Sequence, residues 1–329
     1  MLSFIALDTV GKGVHRSGWP YALRSLERHF RKSSRQLLLD DYIERTFLFR
    51  RNEHLGTRHT TPWVGICHHP PDLPNWYDHR GLQSLAKNPR WRASFPFLRL
   101  VVTFAENSTR WIAENWRKPC VTLRHPTAVP ELKWSLRKYQ LNANKRLLQV
   151  GSFLRNTHAI YQVQAPLIFR KTRLVQSADW IASAHDKSAL LFGHRPYVGN
   201  VEELGRLKNE EFDRLLSANI VFIELISAVA NNTIIECIAR NTPIVVNRLP
   251  GPEYYLGKEY PLFYNDIGEV HSLLTEENIV AASRYLKSLD KSWISGRAFA
   301  AAFESACELL LPEFNTVSLP SPSSIISRN

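Results

Sequence analysis

The sequence predicts two doubly wound α/β domains in tandem, each a Rossmann-like parallel sheet with helices on both faces. Three observations predict it. Short β-branched apolar runs alternate with helix-length runs along most of the chain. Several of the short runs, such as LRLVVTF (98–104) and ANIVFIEL (218–225), are apolar nearly throughout, the pattern of strands covered on both sides. And 329 residues, 44% hydrophobic and 22% charged, is a globular composition long enough for two cores.

The elements follow in order. LSFIALDTV (2–10) reads as the first strand, followed by the loop GKGVHRSG and a helix from Trp19 to Phe30. RTFLFRR (45–51) reads as a strand, PWVGICHH (62–69) as an apolar strand ending in two histidines, and LRLVVTF as another. AENSTRWIAENW (105–116) is a helix with Asn107 or Ser108 near its start, and PCVTLRHP (119–126) closes the first half as a strand. Residues 126–144 hold two prolines and no strong period, which marks the interdomain connection. A second alternating set begins with the strand RLLQVGSF (146–153). ANIVFIEL is then a strand, NNTIIECIAR (231–240) a helix and PIVVNRL (243–249) a strand, with two terminal helices over 276–289 and 296–311. The Pro/Ser-rich tail 312–329 is expected to be disordered. The chain thus divides into 1–130, 131–311 and the tail.

Composition limits the function. The four cysteines, Cys67, Cys120, Cys237 and Cys307, are far apart and form no CxxC pair, which argues against a zinc site. Three lie inside apolar runs, as reduced buried thiols of a cytoplasmic protein do. No apolar stretch reaches the roughly 18–20 residues of a membrane span, and the first residues lack the basic n-region of a signal peptide. The net charge of +12 fits either a polyanion-binding surface or a protein that handles phosphorylated ligands. The basic residues are spread along the chain without an RNA- or DNA-binding motif, so no specific nucleic-acid partner is expected. Peripheral contact with an anionic membrane stays open.

Open parallel sheets bind ligands beyond the carboxyl ends of their strands, and the chemistry-bearing residues gather at such ends. After ANIVFIEL, Asn231, Asn232 and Thr233 open a helix. A helix start offers free amides and a partial positive charge to a phosphate. Glu236, three residues past Thr233, either completes a capping box or accepts hydrogen bonds from ribose hydroxyls. After RLLQV come Arg155 and, next in line, Lys171, which by themselves read as solvated surface cations. Gly11, Gly13 and Ser17 lie in the first loop, an ordinary turn or one that approaches the ligand. At the end of PWVGICHH, strand alternation turns at most one histidine to the cleft. His68 is chosen, as a group able to polarise or deprotonate a hydroxyl. His125 reads as a hinge or structural residue.

The stretch NNTIIECIARNTPIVVNRLPGPEYYLG resembles the donor-binding segment of GT-B glycosyltransferases, of the bacterial group 1-like kind. The resemblance implies two Rossmann-like domains facing a cleft, the first for the acceptor and the second for a nucleotide-sugar donor. It assigns the phosphates to Asn232 and Thr233, the ribose to Glu236, and the basic residue that stabilises the leaving diphosphate to Arg155, with Lys171 next in line. It implies transfer of a sugar to an acceptor hydroxyl, with retention and with no cofactor beyond the donor itself; no DxD-like motif stands in a fitting place, so no essential metal is expected. A glycan or lipid-linked acceptor fits. Many retaining members carry a second glutamate where this sequence has Ala228, with Glu224 four residues earlier. Two alternatives are a sugar-nucleotide epimerase of the same fold and a non-catalytic polyanion-binding protein.

Overall fold

The computed structural model describes residues 2–5, 17–31, 37–49, 58–71, 73, 81–174 and 191–311. Gly11, Gly13, positions 6–10 of the expected first strand and the tail lie outside the described residues.

Two parallel sheets are present, as predicted. The first runs β1 (Leu2–Ile5), β2 (Leu37–Asp40), β3 (Trp63–Ile66), β4 (Leu98–Thr103), β5 (Cys120–Thr122) in chain order. Its side chains alternate between two cores. Leu98 and Val101 join Trp63 on one face, while Leu100 and Val102 join Val64 and Ile66 on the other. Helix α1 (Trp19–Phe30) covers the second face with Ala22, Leu26 and Phe30, an i, i+4 stripe. Helix α2 (Glu106–Trp116) covers the first through Ile112.

The second sheet holds β6 (Arg146–Gln149), β7 (Arg170–Leu174), β8 (Glu202–Leu204), β9 (Ile220–Ile223), β10 (Ile244–Asn247) and β11 (Phe263–Tyr264). Their order is β11-β10-β9-β6-β7-β8, the doubly wound order that reverses between its first and fourth strands, β6 and β9. Helices α3 (Asn209–Ser217), α4 (Asn232–Arg240), α5 (Pro250–Leu256), α6 (Glu276–Ser288) and α7 (Gly296–Leu310) complete the fold. No helix among the described residues is long and apolar enough to cross a membrane.

Four expectations are corrected. Residues 45–49, read as a strand, are helical; Ile43 and Phe47 stand one turn apart and pack on Trp63 and Trp91. The strand of that region is β2, upstream. Strands β7 and β8 escaped the apolar pattern because they are charged: Arg146 and Arg170 pair across the sheet with Glu202, at 2.5 and 3.6 Å. The connection 126–144 contains a short helix, Leu136–Leu141, whose Tyr139 enters the second core. And α7, assigned by chain order to the second domain, packs on the first, where Phe299, Ala300, Phe303 and Cys307 share a core with α1. Chain order cannot reveal that crossing, since an apolar stripe does not name the surface it meets.

The lobes are also joined by Tyr255 of α5. Its hydroxyl donates to the Phe104 carbonyl and accepts from the His125 amide, both at 3.0 Å. His125 is therefore a contact point between lobes, and burial holds its imidazole down to about 4.

Candidate functional site

The crevice between β6 and β9 opens between two loops, 150–158 and 224–231. Both leave carboxyl strand ends, so backbone amides and the side chains that follow converge there. Gly151 adopts φ +78°, and a Cβ at that position would come 2.3 Å from the Arg155 guanidinium. Leu154, a non-glycine residue at φ +54°, is pinned between Leu73 and Ile226. The loop therefore spends backbone strain to fold Arg155 inward, where it is buried.

Arg155 Nη2 donates to Asn231 Oδ1 and to Thr233 Oγ1, each at 3.0 Å. Asn231 is the N-cap of α4, accepting from the Ile234 amide at 3.2 Å. A guanidinium thus sits against a helix N-terminus, adding its full positive charge to the helix's partial one at the same point. Asn232, next in the chain, is exposed.

Glu236 is buried and lies one turn inside α4. With Asn231 as N-cap, the third helical residue is Ile234, so Glu236 is too far along to close a capping box. Its carboxylate instead accepts a hydrogen bond from Ser17 Oγ of the first lobe. Beside it, Gly18 at φ +79° lets the backbone pass Asn232, whose Nδ2 would stand 3.0 Å from a Cβ there. The structure thus brings Ser17, Arg155, Asn231, Asn232, Thr233 and Glu236 into one constellation that spans both lobes.

Lys171 holds a different post. Its buried ammonium donates to the carbonyls of Tyr161, Val163 and Val198, which uses all three of its N–H groups. Burial lowers its pKa, and its geometry is that of a strut between backbone segments.

The first lobe adds the strand-end histidines. Strand β3 stops at Ile66, so alternation does not govern either one. His68 stacks on Tyr42 at 4.0 Å and meets the edge of Trp19 at 4.6 Å. Its Nε2 lies 2.9 Å from the Asp41 carbonyl. A carbonyl only accepts, so Nε2 carries the proton; burial pushes the imidazole pKa well down, so the ring is neutral. Nδ1 then keeps a lone pair. His69 packs against Phe153 of the second lobe at 5.2 Å.

Sequence reading missed the support beneath these histidines. Glu44 Oε1 accepts the amides of His68 and His69 at 3.0 and 2.9 Å. Its Oε2 is buried without a hydrogen-bond partner among the described residues. Burial pushes Glu44 up to about 8, so it is a neutral acid at neutral pH. The folded pKa lies above the ordinary 4.5, so the native state holds the extra proton. That contribution is fully present below 4.5 and is lost as pH rises through about 8. Glu44→Gln removes the titration. The stability of Glu44→Gln relative to wild type is expected to rise across that window by up to about 1.4 kcal/mol per pH unit, read by urea melts at several pH values.

No protein-family profile matches the chain, and no curated protein matches it in sequence. Solved structures do match in fold. HepE from Anabaena, in complex with UDP and glucose, superposes with a TM-score of 0.64 at 12% identity, covering 94% of this chain and 99% of that one. WaaG, a glycosyltransferase involved in lipopolysaccharide biosynthesis, gives 0.55 at 10% identity, with 94% and 100% covered. A trehalose-6-phosphate enzyme from E. coli, bound with UDP-2-fluoro glucose, gives 0.54 at 10% identity, with 87% and 77% covered. The fold is GT-B.

Proposed function

We propose that the chain is a cytoplasmic glycosyltransferase that moves a sugar from a nucleoside-diphosphate donor to an acceptor hydroxyl. The observation that carries this reading is Arg155 held against the N-terminus of α4 with Glu236 one turn inward, at the point where the strand order reverses. Glycosyltransferase neighbours of the same fold support it.

The diphosphate binds at Arg155 and the first amides of α4, beside Asn232 and Thr233. The ribose hydroxyls donate to Glu236. When the anomeric C–O bond breaks, the electron pair leaves on the diphosphate. Arg155 and the helix terminus neutralise that charge, the service a divalent cation gives elsewhere, so transfer proceeds without a metal. The acceptor oxygen bonds to the anomeric carbon and gives up its proton. His68 Nδ1 is the lone pair the first lobe offers to an acceptor hydroxyl. Retention follows from the resemblance alone. The acceptor class is a glycan or a lipid-linked sugar, with the basic surface available to an anionic membrane.

A panel of UDP-, GDP-, ADP- and CMP-sugars, assayed for release of free nucleotide with water and with mixed oligosaccharides as acceptors, tests the proposal. Release from one donor, absent in Glu236→Ala, is expected. Binding without any release would favour the non-catalytic alternative.

A further inference from the structure

We infer that Arg195 reads the transferred sugar: held by Glu224 as a neutral pair, it donates hydrogen bonds to uncharged hydroxyls of the glycosyl group, while Arg155 takes the diphosphate. This rests on the donor-site reading above and assigns a residue that no motif pointed to.

Glu224 follows the last residue of β9 and is buried. Arg195 Nη1 lies 2.9 Å from both of its carboxylate oxygens. Asn156 fixes the same carboxylate from the other loop, Nδ2 to Oε2 at 2.6 Å, and its amide donates to the Glu224 carbonyl at 2.8 Å. Asn156 is the neighbour of Arg155, whose backbone bridges to Leu225. The pair is therefore built into the crevice beside the phosphate-binding group.

Its place within the crevice follows from packing. The Arg195 guanidinium lies 5.2 Å over the Phe192 ring. Phe192 packs in a small apolar cluster with Leu154 and Ile226 of the second lobe and Leu73 of the first. Arg195 thus stands where the second-lobe wall meets the first lobe. The reacting sugar must lie there too, bonded to the diphosphate on one side and open to an acceptor from the first lobe on the other.

Charge separates the two arginines. Arg155 is held by the neutral side chains of Asn231 and Thr233 at the start of α4, where the helix adds its own partial positive charge. Arg195 is matched by a buried carboxylate, so it adds little net attraction for a phosphate. Its side chain is 24% exposed, and among the described residues Nε and Nη2 make no hydrogen bond. A rigid fork of N–H donors without net charge suits neutral polyol oxygens.

The test is titration of wild type, Arg195→Gln, Arg195→Lys and Arg155→Gln with UDP and UDP-glucose, or GDP and GDP-mannose where guanine is preferred. Arg195→Gln is expected to leave the free nucleotide within about twofold and to weaken the intact sugar nucleotide about tenfold. Arg155→Gln weakens both alike. Glu224→Gln frees the Arg195 charge and shifts preference from UDP-glucose towards UDP-glucuronate. Equal weakening of nucleotide and sugar nucleotide by Arg195→Gln, or no weakening of either, overturns the assignment while leaving the donor site standing. A wild type that binds neither overturns both.

Discussion

Arg155→Ala is expected to lower the turnover of a sugar nucleotide by about 10²–10³, the effect of deleting one preorganised donor to a developing negative charge. The loss falls on kcat more than on KM, because the leaving diphosphate gains its full charge only as the anomeric bond breaks. Two features make Arg155 costly to lose. It is buried, so its field is little screened. And it is preorganised, held by Asn231 and Thr233 and by a loop bent through Gly151 and Leu154. Arg155→Lys restores the charge without the planar fork and is expected to recover part of the rate. An Arg155→Ala enzyme that folds as wild type and turns over at the wild-type rate would remove the cation from the reaction.

The largest effect on stability is expected at Arg240, the last residue of α4. Its Nε and Nη2 lie 3.2 and 2.5 Å from Asp213 Oδ1, and Nη1 donates to the Glu236 carbonyl at 3.1 Å. Both side chains are nearly inaccessible, 2% and 7% exposed. Arg240→Met takes away the guanidinium bonded to the buried Asp213 carboxylate, which costs about 3–5 kcal/mol. The double variant Arg240→Met with Asp213→Leu removes the charge with its partner, and is expected to recover most of that loss. Urea melts of the three proteins decide. A single variant within about 1 kcal/mol of wild type would show that water reaches the pair, the behaviour of an exposed salt bridge.

The fold was legible where strands are apolar on both faces. β9, α4 and β10 stand where the alternation of ANIVFIEL, NNTIIECIAR and PIVVNRL puts them. It was illegible where cross-strand ion pairs replace apolar residues, as Glu202 does in β8, and where a crossing helix returns to the first lobe, as α7 does. Half of the candidate site was legible for the same reason. Asn231, Thr233 and Arg155 follow strands that can be recognised, and the structure places them within hydrogen-bond reach of one another. The contact between Ser17 and Glu236 joins residues 219 positions apart, and no local pattern announces such a pairing. Arg195 sits in a segment with no period, and Glu44 is one acid in the run DDYIERT. Their roles come from burial and partners, which only the folded chain supplies.

On the proposed reading, the crevice between β6 and β9 binds a nucleoside diphosphate through Arg155 and Glu236. Calorimetric titration of the full chain with UDP, GDP and ADP, each beside its nucleoside, tests it most directly. One diphosphate is expected to bind, its nucleoside at least tenfold more weakly, with binding lost in Glu236→Ala at an unchanged melting temperature. Absence of binding by all three diphosphates, or binding that Glu236→Ala and Arg155→Ala leave untouched, would rule out this donor site.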